Sequence, residues 1–240
     1  MTARFRFLLI TLAATAVALL TARLGMWQLS RAAEKTGLQA AIEQQATKPA
    51  LESGAALPND AQQAASLHYR HVRLHGRWST THTIYLDNRQ MKGRPGFFVV
   101  TPLLLADGRA VLVQRGWLPR NADDRTRIDD APPPAGDVAV EGRIAPAPAR
   151  LFEFDGADTG RIRQNLDVEA FGRETGLRLL PLSVLQTEPV APADKLLREW
   201  PLPASGVAKH YGYAFQWFGL SALVVILYVW FQLIQPRTRR

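Results

Sequence analysis

Four histidines cluster between positions 68 and 82 (His68, His71, His75, His82), and a fifth, His210, stands alone before a long apolar run. Imidazole is the commonest metal ligand and the side chain that exchanges protons near neutral pH. Spacings of three and four among the first three would stack them on one helical face, where a metal could be held. The surrounding residues deny that helix. In YRHVRLHGRW (69–78), Val72 and Leu74 alternate with His71, Arg73 and His75, the period-two pattern of a strand with one wet face. On a strand, His71 and His75 face the same way but lie about 13 Å apart, and His68 points to the other face. No carboxylate sits among them, so solvent-face histidines are the expectation.

Other chemistry is sparse. The sequence contains no G-x-S-x-G elbow, no S-x-x-K, no H-E-x-x-H and no glycine loop of the phosphate-cradling type. It has no cysteine, which excludes thiolate metal and redox chemistry. The four aspartates of DDRTRIDD (123–130) are interleaved with arginines and read as a solvated loop. Arg89, Arg94 and Arg115 are more informative, two of them beside glycines in turn contexts. Either they pair with carboxylates inside a small sheet, or they meet an anionic ligand or an acidic partner surface.

The elements around these residues follow from hydropathy. Residues 7–22 and 211–235 carry no charge, and all 21 acidic residues lie between them. The second stretch would rise about 36 Å as a helix, enough to cross a bilayer with tilt. The first is long enough if residues 24–29 extend it; a cleaved signal peptide is the other reading of this segment. The net charge of +8 is largely local: Arg4, Arg6, Arg237, Arg239 and Arg240 flank the apolar stretches. Basic tails beside spans predict cytoplasmic ends, and no basic patch of the nucleic-acid type remains. Trp27 and Arg31 follow the first span at helical spacing, so the helix is expected to continue to about Gln45. They either anchor it at the membrane interface or contact a partner or ligand. Residues 47–66 read as a loop. A β-rich block comes next, with strands at 69–78 and 81–90, turn chemistry in KGRPG (92–96), and a hairpin of FFVVTPLLL and AVLVQRGW around ADG. VAVEGRI and LPLSVLQTE are further strands. Between them, DVEAFGRETG (167–176) is a short helix with Asp167 as N-cap and Gly176 as its stop.

Six pieces in order resemble one family, the surfeit locus protein 1 family of cytochrome c oxidase assembly factors. They are LGMWQLSRAAEK (24–35), LDNRQMKGRPGFFVVTPL, VLVQRGWLP, RQNLD (163–167), LPLSVLQ and KHYGYAFQWF entering the second span. The resemblance implies an α+β membrane protein with two transmembrane helices flanking a β-rich extracytoplasmic domain. The boundaries are a cytoplasmic tail at 1–6, spans at 7–29 and 210–234, a periplasmic domain at 30–209 and a second cytoplasmic tail at 235–240. The Ala/Arg/Pro-rich composition points to a bacterial inner membrane. The implied role is non-enzymatic: maturation of the haem-containing oxidase subunit with haem a as cargo, and the haem a synthesis machinery as a further partner. A scaffold that docks the oxidase subunit without haem is the alternative, and a membrane-tethered hydrolase or sensor a remote one.

Carried over by residue, the family's histidine at the mouth of the second span is His210, the haem-iron ligand. Its tryptophan and arginine after the first span are Trp27 and Arg31. The R-G-W turn is Arg115, Gly116 and Trp117, and the G-x-P-G-like turn is Gly93, Pro95 and Gly96. Gln114 stands where asparagine commonly precedes R-G-W. The macrocycle would lie against Tyr213, Ala214 and Trp217, with its carboxylates towards Lys209, Arg31 and Lys35. Gly212 and Gly219 would leave one face of the second helix thin enough for the first to approach. The competing reading makes His210, Tyr211 and Tyr213 an aromatic belt.

Overall fold

The computed structural model describes residues 2–53, 57–121, 123–124, 127–129, 132–151, 160–188, 194–200 and 206–235. The basic tail with Arg237, Arg239 and Arg240 lies outside them. The chain forms two compact units, Met1–Ala41 with Leu202–Arg240, and Ile42–Pro201.

The first unit is an antiparallel helix pair. Helix α1 (Ala3–Ala46) is rich in alanine and leucine and has no proline. Its partner is a second long helix, Val207–Val229, extended by one π-helical turn, Trp230–Ile234. Both are long and apolar enough to cross a membrane. Their seam is written in the sequence at seven-residue intervals. Thr11, Ala18, Gly25 and Ala32, with Ala14, Thr21 and Gln28 between them, are all buried or half-buried, and Ala22 and Leu24 are half-buried beside them. Small side chains there let the backbones approach, as in membrane helix pairs. Ser221 Oγ donates to the Ala18 carbonyl at 3.0 Å, and the Thr11 and Tyr228 hydroxyls lie 2.8 Å apart. The outward faces, with Leu12, Leu19 and Phe215, are exposed and apolar, a surface suited to lipid.

In the second unit, eight strands form one sheet: β1 (Leu51–Glu52), β2 (His71–Trp78), β3 (Ile84–Met91), β4 (Arg94–Leu105), β5 (Arg109–Pro119), β6 (Asp137–Ala145), β7 (Ile162–Arg163) and β8 (Arg178–Gln186). Five of them close a ring, β2–β6–β8–β5–β4, because the end of β4 pairs back onto β2 through Leu103–Leu105 and Gly76–Trp78. Only the β5–β8 contact in the ring is parallel. Closure satisfies edge groups that an open sheet would expose. Val72, Leu74, Val111, Val113, Val140 and Leu182 fill the inside. β3 pairs with the first half of β4, outside the ring. Ile84 and Leu86 of β3, Val100 of β4 and Leu112 of β5 pack with Phe171 of a third helix, Val168–Thr175. That helix is bounded as the sequence predicts: the Asp167 carboxylate accepts from Ala170 N, and Gly176 turns left-handed at φ +70°.

Local readings fail where the chain has more than one option. Residues 47–66 are not all loop: they contain β1 and a short helix, Ala61–Ser66, capped by Asp60. His68 precedes β2, which begins at His71, and His82 ends a 3-10 turn (Thr80–His82), so neither is a strand residue. Among the described residues no group of three His, Asp or Glu could hold a metal ion. KGRPG is a turn only at Lys92 and Gly93, both with positive φ as a two-residue hairpin requires. Pro95 and Gly96 already belong to β4. Arg115, Gly116 and Trp117 do not make a turn either, because β5 continues to Pro119.

Candidate functional site

His210 lies in the first turn of the second long helix, four residues after Gly206, whose left-handed backbone (φ +87°) starts it. The histidine is half-buried at the mouth of the helix seam. Its Nδ1 lies 2.8 Å from Oε1 of Gln28 on α1. A carbonyl oxygen can only accept, so this contact is a hydrogen bond in the tautomer that has the proton on Nδ1 and the lone pair on Nε2. Among the described residues Nε2 has no hydrogen-bond partner. Ala214, buried, and Trp217, half-buried, continue the same face one and two turns along.

Of the residues expected beside His210, the structure gathers some and separates others. Trp217 shares its face; Tyr213, at 53% exposure, and Trp27, at 54%, stand on outward faces of their helices. Arg31 is paired with Glu34 at 2.6 Å, both side chains about half exposed. A pair so placed is worth no more than about 1 kcal/mol, so an incoming carboxylate could displace Glu34. Lys35 Nζ and Lys209 Cδ lie 3.8 and 4.0 Å from the position a Cβ on Gly206 would take, so two lysines converge where the helix begins. Gly212 and Gly219 do not create the close approach: a Cβ on either meets nothing within 4 Å. Gly25 creates it, since a Cβ there would lie 2.8 Å from the Phe218 ring. Gln28 was missed altogether. Its signal was available in the seven-residue repeat, which places it in the seam.

In the β unit, the motif residues converge on the far end of β4 and β5. Trp117 is 1% exposed, and its Nε1 donates to the Arg89 carbonyl at 2.9 Å. A Cβ on Gly96 would meet its indole at 2.5 Å, so that strand position has to be glycine. The register explains Arg115. Val99 faces Gly116 and Val100 faces Gln114, leaving Arg115 as the extra residue of a β-bulge, which re-aims its side chain. Arg115 is 4% exposed, stacks 5.8 Å from the Trp78 ring centroid, and lines a cleft of about 240 Å³ with Glu188, Asp194 and Arg198. Gln114 donates to Ser183 Oγ at 2.9 Å, tying β5 to β8.

Arg89 is 6% exposed; its Nη2 donates to the Gln164 carbonyl at 2.9 Å and its guanidinium packs 5.9 Å from the Phe98 ring centroid. Burial lowers its pKa from the usual arginine range. Arg94 stacks on Trp117 at 5.9 Å. Among the described residues, neither Arg89 nor Arg94 has a carboxylate partner; aromatic rings and a backbone carbonyl take that place. RQNLD is likewise architectural. Arg163 makes a two-pronged pair with Glu174, Asn165 bonds both backbone groups of Leu151, and Asp167 caps the third helix.

A family model described as the SURF1 family matches residues 15–222. A SURF1-like protein of Rickettsia bellii is 28% identical over 214 residues, covering 85% of this chain and 83% of its own length. Surfeit locus protein 1 of Homo sapiens is 26% identical over 231 residues, covering 87% and 72%. The cytochrome oxidase assembly protein SHY1 of Saccharomyces cerevisiae is 32% identical over 96 residues, 40% of this chain and 24% of that protein.

Proposed function

Because the chain belongs to the SURF1 family, we propose that it is a membrane-anchored assembly factor for cytochrome c oxidase that holds haem a through His210 while the haem-containing subunit matures. It is an assembly protein and not an enzyme. The observation that carries the haem reading is the state of His210: half-buried at the mouth of an apolar helix pair, one ring nitrogen engaged, the other not. A neutral imidazole with a free nitrogen is the form that ligates haem iron. If hydrocarbon begins near Ala214, His210 stands about 6 Å outside it, where a neutral ring costs little. Ala214 and Trp217 offer an apolar wall below it, and Lys35 and Lys209 offer cations to carboxylates on the wet side. When bound, the haem would supply an iron centre and two carboxylates; His210 would hold the first and the lysines the second.

In this reading both termini are cytoplasmic and the β unit lies outside a bacterial inner membrane. There it meets the haem-containing oxidase subunit and the haem a synthesis machinery. The test is His210→Phe, purified from cells that make haem a. An iron ligand contributes a directional bond that phenylalanine lacks, whereas an aromatic belt accepts the exchange. The variant is expected to remain abundant and folded with no haem absorbance, and Tyr211→Phe to retain it. If His210→Phe carries as much haem as the parent, His210 is a belt residue. A parent that carries none is a scaffold.

A further inference from the structure

We infer that Gln28 is a positioning residue, which holds His210 in the tautomer whose Nε2 is open to iron and so tunes both the affinity and the redox state of what is bound there. The inference rests on the haem reading above for its second half, and on the geometry of the helix pair for its first. Gln28 occupies a seam position that the same repeat fills with alanine and threonine at Ala14 and Thr21. Burying an amide in such a seam costs free energy unless it is hydrogen-bonded. Among the described residues, the partner it has is His210. The approach that lets the two side chains meet is set on either side, by Gly25 against Phe218 below and by fully buried Ala32 above.

The bond fixes more than an orientation. Oε1 accepts from Nδ1, which selects one of the two neutral tautomers and raises the basicity of Nε2 as a ligand. An outer partner of this kind is worth about 10- to 100-fold in metal affinity. A stronger acceptor at Gln28 gives the ring imidazolate character and favours the ferric state. Removing the acceptor does the reverse. A bond serving only to join the helices would leave both properties unmoved.

The experiment uses the full chain in detergent micelles, ¹⁵N-labelled at histidine, with His210→Phe to assign the His210 signal. Without haem, the parent is expected to show the Nδ1–H tautomer, and Gln28→Leu a mixture of the two. An Nε2–H tautomer in the parent, or an unchanged ratio in Gln28→Leu, overturns the inference. Titration with haem a is expected to give a 10- to 100-fold weaker affinity for Gln28→Leu. Gln28→Glu should restore affinity and lower the midpoint potential below the parent's. Equal affinities and midpoints in all three proteins also overturn it. If the parent binds no haem, the proposed function fails, and the tautomer measurement still decides the role of Gln28.

Discussion

Gly116→Ala puts one methyl group where the β unit has no room. The segment 194–200 crosses β5 at this point: Trp117 N donates to the Leu197 carbonyl at 2.7 Å, and Leu197 N to the Trp117 carbonyl at 2.9 Å. Arg198 Nε adds a bond to the Arg115 carbonyl at 2.8 Å, and Leu196 is fully buried against the sheet. A Cβ on residue 116 would lie 2.6 Å from Leu196 Cβ and 3.0 Å from the Leu197 carbonyl oxygen. Carbon atoms settle at about 3.5–4.0 Å, so the crossing segment has to retreat by about 1 Å. Lifting it off entirely would forfeit two backbone hydrogen bonds at about 1 kcal/mol each and the burial of Leu196, about 1.5–3 kcal/mol. The Arg198 bond, about 1.5–3 kcal/mol, would go with them. Straining it in place costs about 1–3 kcal/mol, as overpacking does, so strain is the cheaper route. A loss of about 2 kcal/mol in local stability corresponds to roughly 30-fold faster amide exchange at Trp117 and Leu197. Hydrogen exchange of the full chain in micelles reads this directly, with Gly93→Ala as control. Residue 93 has open space but φ +74°, so its cost of about 1–2 kcal/mol falls on the β3–β4 turn and leaves the crossing segment protected. Parental exchange at Trp117 and Leu197 in Gly116→Ala would refute the seating of Leu196 over this glycine.

Three further outcomes are expected. Gly25→Leu should separate the long helices by driving into the Phe218 ring, abolishing a disulfide engineered between residues 18 and 221, whereas Gly219→Leu should leave that cross-link intact. The hydrogen bonds from Arg163 hold the Glu174 carboxyl below the usual glutamate range, so their stabilisation is complete above about pH 4.3 and is lost as pH falls through the lowered value. With Glu174 half exposed the effect is below about 1 kcal/mol, and Glu174→Gln should remove that part of the acid limb from a melting-temperature profile. A reporter active only outside the cytoplasm should be active when inserted at residues 57–60 and silent when fused at Arg240; activity at both places would refute the two-span topology.

What the sequence determined by itself is what neighbouring residues decide. The third helix was legible to the residue because an Asp cap and a left-handed glycine act within one turn. The wet face of β2 was legible because alternation over eight residues fixes which side is buried, and the β4–β5 hairpin because a turn sequence, ADG, joins two apolar runs. The apolar runs announced two long helices, but Gly212 and Gly219 misplaced the face on which they meet, which the structure puts along Thr11, Ala18, Gly25 and Ala32. Only the tertiary structure decided the rest, and the reason is distance along the chain. Ring closure depends on β4 meeting β2, and neither strand's own pattern says which edge it will find. R-G-W reads locally as a strand end, yet the bulge at Arg115 and the crossing of Leu196–Arg198 some eighty residues later let β5 run on to Pro119. Arg89 and Arg94 look like carboxylate partners until the fold sets aromatic rings beside them. His210 could be located from the sequence, but its partner could not: Gln28 lies 182 positions away, and the bond between them exists only once the two helices have paired.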